Sequence, residues 1–238
     1  MPESPRRPVL AIAAVLTALV ILILAAVGVP VRADSEVPAS VAPAVEVESV
    51  LARLDAAYGS MTSFQAQFTQ TSSGISFPSP LVQEGNLQVQ KPNKLRWEFK
   101  KPSARLFLSD GRELWIVDDA EKTCTHYSSV ADSLQRFLAV FNGAERLTKH
   151  YKMTLAAASE SKPGSETLKL VPKVEDGSVQ AIYLRVDSVS GMVIAVITVS
   201  AFGDRTETIL SAIELGKEQP LERFRWSDRP GFQVIEAG

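Results

Sequence analysis

Very little in this chain can do covalent chemistry. Across 238 residues there is one cysteine, Cys124, and there are two histidines, His126 and His150. A single thiol excludes an internal disulfide framework. No G-x-S-x-G elbow, H-E-x-x-H pair or G-x-x-x-x-G-K loop occurs, which removes the usual hydrolase, zinc-protease and phosphate-cradling signatures. Cys124 and His126, two apart on a strand, offer two ligands where a zinc site needs three or four. Asp118 and Asp119 adjoin, but at a turn, where solvated charges are ordinary. An enzyme, a metal centre and a cofactor are therefore not expected. The chain also lacks a dominant charge, with 25 Lys+Arg against 27 Asp+Glu. Its one basic run (Lys94, Arg96, Lys100, Lys101, Arg105) has Trp97 and Phe99 interleaved, which sends cations and aromatics to opposite strand faces. Nucleic acid would need them on the same face.

What is present begins with a long apolar run. Val9–Val31 is apolar apart from Thr17 and follows Arg6 and Arg7. Val31-Arg32-Ala33 puts small residues at −3 and −1 of a cleavage point after Ala33, the pattern of a signal peptide over residues 1–33. The run is also long enough to stay as a bilayer anchor. Either outcome exports the remainder. Cleavage would remove three basic residues (Arg6, Arg7, Arg32) and one acidic residue (Glu3), leaving a net charge of about −4. Residues 34–45, rich in Ala, Pro and Ser, read as a flexible linker, and 46–238 as one domain.

Within that domain Val47, Val50, Leu51, Leu54 and Tyr58 recur at helical spacing, with Gly59 as the stop. The period then changes to two. Phe64, Ala66 and Phe68 alternate with polar residues, and so do Leu87 and Val89, then Leu95, Trp97 and Phe99. Pro92 breaks the two latter rows apart. Lys91 falls in parity with the apolar row, a cation at the lip of a greasy face that needs a capping partner. Asp110-Gly111 marks a hairpin. Further strands are expected at Arg105–Leu108, Glu113–Val117, Thr123–Tyr127, Tyr151–Ala157, Glu166–Pro172, Val179–Asp187, Gly191–Ala201 and Thr206–Glu214, separated by turns such as Asp176-Gly177. Trp226 near the end is expected in the core. Only Val130–Asn142 interrupts the strand rhythm. Leu134, Phe137, Leu138 and Phe141 take helical spacing there, with Asp132 or Ser133 as N-cap and Gly143 as stop. Such a helix is either core or a lid over the sheet.

Several short runs, in order, resemble the LolA family of periplasmic outer-membrane lipoprotein carriers. They are Met61-Thr62-Ser63-Phe64 with Phe68-Thr69-Gln70, Gln83-Glu84-Gly85, Leu87-x-Val89-x-Lys91-Pro92-Asn93 with Arg96-Trp97, and Pro102. Ser109-Asp110-Gly111 with Leu114-Trp115, Leu168-x-Leu170-x-Pro172-Lys173 and Phe224-x-Trp226…Pro230-x-Phe232 follow. The resemblance implies a mainly β fold. Its sheet would be an unclosed, strongly curved antiparallel half-barrel, with an N-terminal helix and an inserted short helix covering an apolar cavity. It also implies a monomeric chaperone whose cargo is acylated lipoproteins, received from an inner-membrane ABC lipoprotein-releasing transporter and handed to an outer-membrane receptor or the membrane itself. The same fold serves lipid-binding sensory or anchored envelope modules, which an uncleaved N-terminus would favour.

The expected cavity residues are Leu54, Phe64, Phe68, Leu87, Val89, Leu95, Trp97, Phe99 and Trp115, and the expected lid residues are Leu134, Phe137, Leu138 and Phe141. The family's basic residue before Pro-Asn, which fastens the lid, matches Lys91. Lys here replaces a forked guanidinium with a point charge, so a looser latch is implied. The junction Asp55–Met61 is longer than usual in the family. The chain stops shortly after Ile235, so a C-terminal extension is expected to be missing.

Overall fold

The structure is a computed structural model that describes residues 42–130, 132–174 and 179–237. The expected signal peptide, most of the linker and the Asp176-Gly177 turn lie outside these residues, as do the side chains of Asp132 and Ser133. Helix α1 spans Ala42–Tyr58, so Ala42–Val45 belong to it rather than to the linker. Proline is tolerated in a first helical turn, where its missing N–H would have no partner anyway, so Pro43 does not prevent this start. The stripe Val50, Leu54 and Tyr58 is fully buried, as the spacing predicts.

Twelve strands form one sheet that does not close: β1 (Ser63–Ser73), β2 (Leu81–Gln90), β3 (Lys94–Lys101), β4 (Arg105–Ser109), β5 (Leu114–Asp118), β6 (Thr123–Tyr127), β7 (Tyr151–Leu155), β8 (Ser165–Pro172), β9 (Val179–Asp187), β10 (Val193–Ser200), β11 (Arg205–Leu215) and β12 (Gln233–Ala237). β1 lies inside the sheet between β2 and β11, and the outer strands are β12 and β7. Every pairing is antiparallel except one, since β12 runs parallel to β6, with Gln233 opposite Thr123 and Ala237 opposite Tyr127. That pair departs from the all-antiparallel expectation.

Two short helices interrupt the strands between β6 and β7. α2 is Asp132–Ala139, inside the expected Val130–Asn142, and α3 is Ala144–His150. The second is not evident in the sequence, where Gly143 reads only as a stop. Gly143 is in fact the N-cap of α3.

Register explains which side chains share a face. Phe64 pairs with Val89, Ala66 with Leu87 and Phe68 with Gly85; Val89 pairs with Leu95, Leu87 with Trp97 and Gly85 with Phe99. Directly opposed residues point the same way, so one concave face gathers all of them. Gly85 has a specific reason to be glycine. A Cβ there would come within 1.9 Å of the Glu98 carbonyl oxygen and 2.8 Å of the Phe68 ring. The ring lies on bare backbone.

Candidate functional site

The concave face carries one continuous apolar cluster drawn from both wings of the sheet: Phe64, Phe68, Leu87, Val89, Leu95, Trp97, Phe99 and Phe107 on one side, Leu168, Leu170, Leu184, Val193 and Leu210 on the other. Leu54 joins it from α1. Over it lie Leu134 and Leu138 of α2 and Phe141 in the turn that follows, all buried, with Phe137 of α2 partly so. The rings interlock. Phe137 stacks on Trp97 at 5.0 Å between centroids, and Phe141 stacks on Phe64 at 4.9 Å. Trp97 in turn stacks on Phe99 at 5.5 Å, and Phe68 meets Trp97 edge-on. Each such pair adds about 0.5–1.5 kcal/mol beyond simple burial. In this arrangement the cover's own aromatic rings pack directly on the concave face.

Trp115 is a correction. Register carries Trp97 to Phe107 and Phe107 to Ile116, so Ile116 and Leu114 turn inward and Trp115 must turn outward. It belongs to a second buried cluster on the convex face, with Leu106, Leu108, Val117 and Cys124, and it stacks on His126 at 5.4 Å. Trp226 is likewise on this outer cluster, only partly buried, and not in the main core.

Lys91 is the second correction. Its Nζ donates to the Tyr58 carbonyl oxygen at 2.5 Å, at the C-terminus of α1 and not on the lid helix. A helix C-terminus presents unpaired carbonyls and partial negative charge, which is what an ammonium seeks. Burial holds the Lys91 pKa below its ordinary value; Arg146 adds to that pull and Asp55 opposes it. Tyr58 is tied at its other end too, since the Val193 backbone N–H donates to its hydroxyl at 3.1 Å. Burial pushes the Tyr58 pKa up to about 12, with the Val193 N–H pulling weakly the other way. Asp55, one turn earlier, accepts from the Ala144 N–H at 2.6 Å, fixing the start of α3 against α1.

Several concave-face residues escape a reading of the sequence. Phe107 hides in the uninterrupted apolar run of β4, which is buried on both faces. Beyond Phe68 the inward parity of β1 continues through Gln70 and Ser72, both buried. Gln70 Nε2 donates to Gln83 Oε1 at 3.2 Å, and Thr208 Oγ1 donates to Gln70 Oε1 at 3.2 Å. Only parity could have found them, because residues of this polarity read as surface. The Trp97 indole N–H, although buried, has no acceptor among the described residues. No group of three or more His, Cys, Asp or Glu side chains among the described residues could hold a metal.

The model of the family described as outer membrane lipoprotein carrier protein LolA matches residues 59–227. The chain belongs to the LolA family. An outer-membrane lipoprotein carrier protein of Chromobacterium violaceum is 27% identical over 188 residues, covering 79% of this chain and 87% of that one. One from Alkalilimnicola ehrlichii is 29% identical over 198 residues, covering 82% and 88%. A crystal structure of a LolA superfamily protein from Nitrosomonas europaea aligns with a TM-score of 0.43 and 17% identity, over 75% of this chain and 97% of that one. The LolA family is one of carriers and not of enzymes.

Proposed function

We propose that this LolA-family chain is a periplasmic carrier that takes the acyl chains of lipoproteins into the concave face, beneath α2. It would receive cargo from an inner-membrane ABC lipoprotein-releasing transporter and pass it to an outer-membrane receptor or to the membrane. The observation that carries this reading is the stacking of Phe137 on Trp97 and Phe141 on Phe64. The short helix and the turn after it each lay a ring on the concave face, so hydrocarbon can replace them as this segment lifts. The Trp97 N–H, which has no acceptor among the described residues, supports the same reading. A buried donor without a partner costs about 1–3 kcal/mol, and a ligand carbonyl would supply the missing acceptor.

Magnitudes constrain how such a carrier works. An acyl chain gains about 0.8 kcal/mol per buried methylene, so two or three chains of ordinary length represent on the order of 20–35 kcal/mol if wholly buried. Release into water would then never occur on a useful timescale. Cargo must pass directly to an apolar acceptor, and the hollow must grip only part of each chain. An empty open hollow would aggregate, and α2 prevents that.

The test is mass spectrometry of whatever co-purifies with the full chain expressed in a bacterium with an outer membrane. Acylated N-terminal peptides are expected with the native chain. They should be strongly depleted with Trp97→Glu, and with Phe137→Glu, which changes a partly exposed lid position and spares the inner core. Recovery of no acylated polypeptide from the native chain would end the proposal.

A further inference from the structure

At the end of the sheet away from Lys91, two adjoining tips hold large apolar side chains in water. β1 begins opposite Gln90 and ends opposite Arg205, so the loop after Ser73 meets the turn between β10 and β11 there. Ile75 on the loop is 85% exposed and Phe202 on the turn is 73% exposed. The two tips are fastened together. Asp204, only 4% exposed, accepts from the Ser76 backbone N–H at 3.1 Å and from the Ser76 hydroxyl. Its own N–H donates to Ser200 Oγ at 3.1 Å. Gly74 lies so close that a Cβ would fall 2.7 Å from the Asp204 Cα. Ile75 thus projects from between two residues held on Asp204, with Phe202 two positions before that carboxylate.

The two segments that form the tip carry no formal charge of their own. Thr71–Gln83 and Met192–Gly203 contain no Asp, Glu, Lys or Arg, in a chain of which 22% is charged. The nearest carboxylate to Phe202 in the chain, Asp204, is turned inward and hydrogen-bonded, and the adjoining Arg205 is held by Glu160 at 2.7 Å. Isolated exposed apolar residues are ordinary on a soluble surface. An exposed Ile and an exposed Phe on adjoining segments without charges of their own instead suit a medium in which charge is expensive. A protein partner would more often be met by a polar, charged rim.

We propose that this tip docks on a phospholipid leaflet, with Ile75 and Phe202 entering the boundary between headgroups and acyl chains and Ser76 keeping Asp204 out of it. The proposal is independent of the cargo reading, since it uses no residue of the hollow. Two side chains give weak, reversible binding, each contributing roughly tenfold in partition.

The test places a reporter at each end of the sheet, so that any binding through the N-terminal segment is common to both. Cysteine is introduced at Ser79 on the loop, or at Val189 on the turn between β9 and β10. Val189 is 93% exposed at the opposite end of the sheet. Cys124 is buried and does not compete for label. The full chain, carrying an environment-sensitive fluorophore, is mixed with phosphatidylethanolamine–phosphatidylglycerol vesicles containing nitroxide-labelled acyl chains. Quenching is expected at position 79 and not at 189. It should fall about tenfold in Ile75→Ser or Phe202→Ser and disappear in the double Asp variant. Equal quenching at both positions, quenching at neither, quenching at 189 alone, or quenching at 79 that survives the double substitution would each overturn the proposal. Loss of acylated cargo in the mass-spectrometric test leaves this result untouched.

Discussion

The sheet buries apolar side chains on both of its faces, but the two coverings are of different kinds. On the convex face Leu106, Leu108, Trp115, Val117 and Cys124 lie under the segment after β11, where Trp226 and Phe232 pack. That segment is pinned by charge and backbone. Arg225 bonds to Asp110 at 2.9 Å and Arg229 to Asp119 at 3.1 Å. The Arg229 guanidinium also sits over both the Trp226 and Phe232 rings, and β12 adds a full ladder to β6. On the concave face α2 meets the sheet through the Phe137–Trp97 stack and the apolar side chains Leu134 and Leu138. Apolar contacts can be exchanged for other hydrocarbon, whereas ladders and ion pairs cannot. The outer cover is therefore pinned by directional bonds, while the proposed function requires the inner one to yield.

Four substitutions sharpen that contrast, in falling order of effect. Phe141→Ala empties the stack on Phe64 and should cost about 3–5 kcal/mol in denaturant unfolding; a much smaller loss would mean that the inner cover is already loose. Tyr58→Phe leaves the buried Val193 N–H unpaired and should cost about 1–3 kcal/mol near neutral pH. It should also change the alkaline limb. The Tyr58 hydroxyl is held protonated up to about pH 12, so the stability it confers is complete below its unfolded pKa near 10 and is lost as pH rises from there through the folded value. In Tyr58→Phe that part of the alkaline loss should vanish from a pH series of melts. Lys91→Met removes the cation from the end of α1 and should cost about 1 kcal/mol or less. Arg225→Ala removes an exposed guanidinium from Asp110, which keeps its bonds from the Arg112 and Glu113 N–H; it should cost under about 1 kcal/mol and should fade with added salt. An outcome above that of Phe141→Ala would invert the comparison.

Much of the inner wall is legible in the sequence because its strands alternate cleanly. Phe64–Phe68, Leu87–Val89 and Leu95–Phe99 lie on the expected face in the expected parity, and α1 buries the expected stripe. The misses share a cause, in that residue type suggests something that register overrules. Trp115 suggests a cavity by its size, yet the Asp110-Gly111 hairpin sets a register that turns it outward. Gln70 and Gln83 suggest surface by their polarity, yet parity turns them inward, where they satisfy each other. Lys91 does need a partner, as its place in the apolar row implies. Which helix supplies that partner depends on the long-range return of α1, and no local pattern encodes it. The parallel β12 is hidden for the same reason. α3, with only Ala144 and Leu147 buried, is too short to show a period.

Tyr58 grips the sheet at two distant places, through its carbonyl at Lys91 and through its hydroxyl at Val193. That makes α1 a fixed jamb and, under the proposed function, α2 the leaf that swings. A carrier with one doorway must fill and empty through it. Donor and acceptor would then compete for the same threshold, and each handover would be a strict exchange of places, never a three-body assembly.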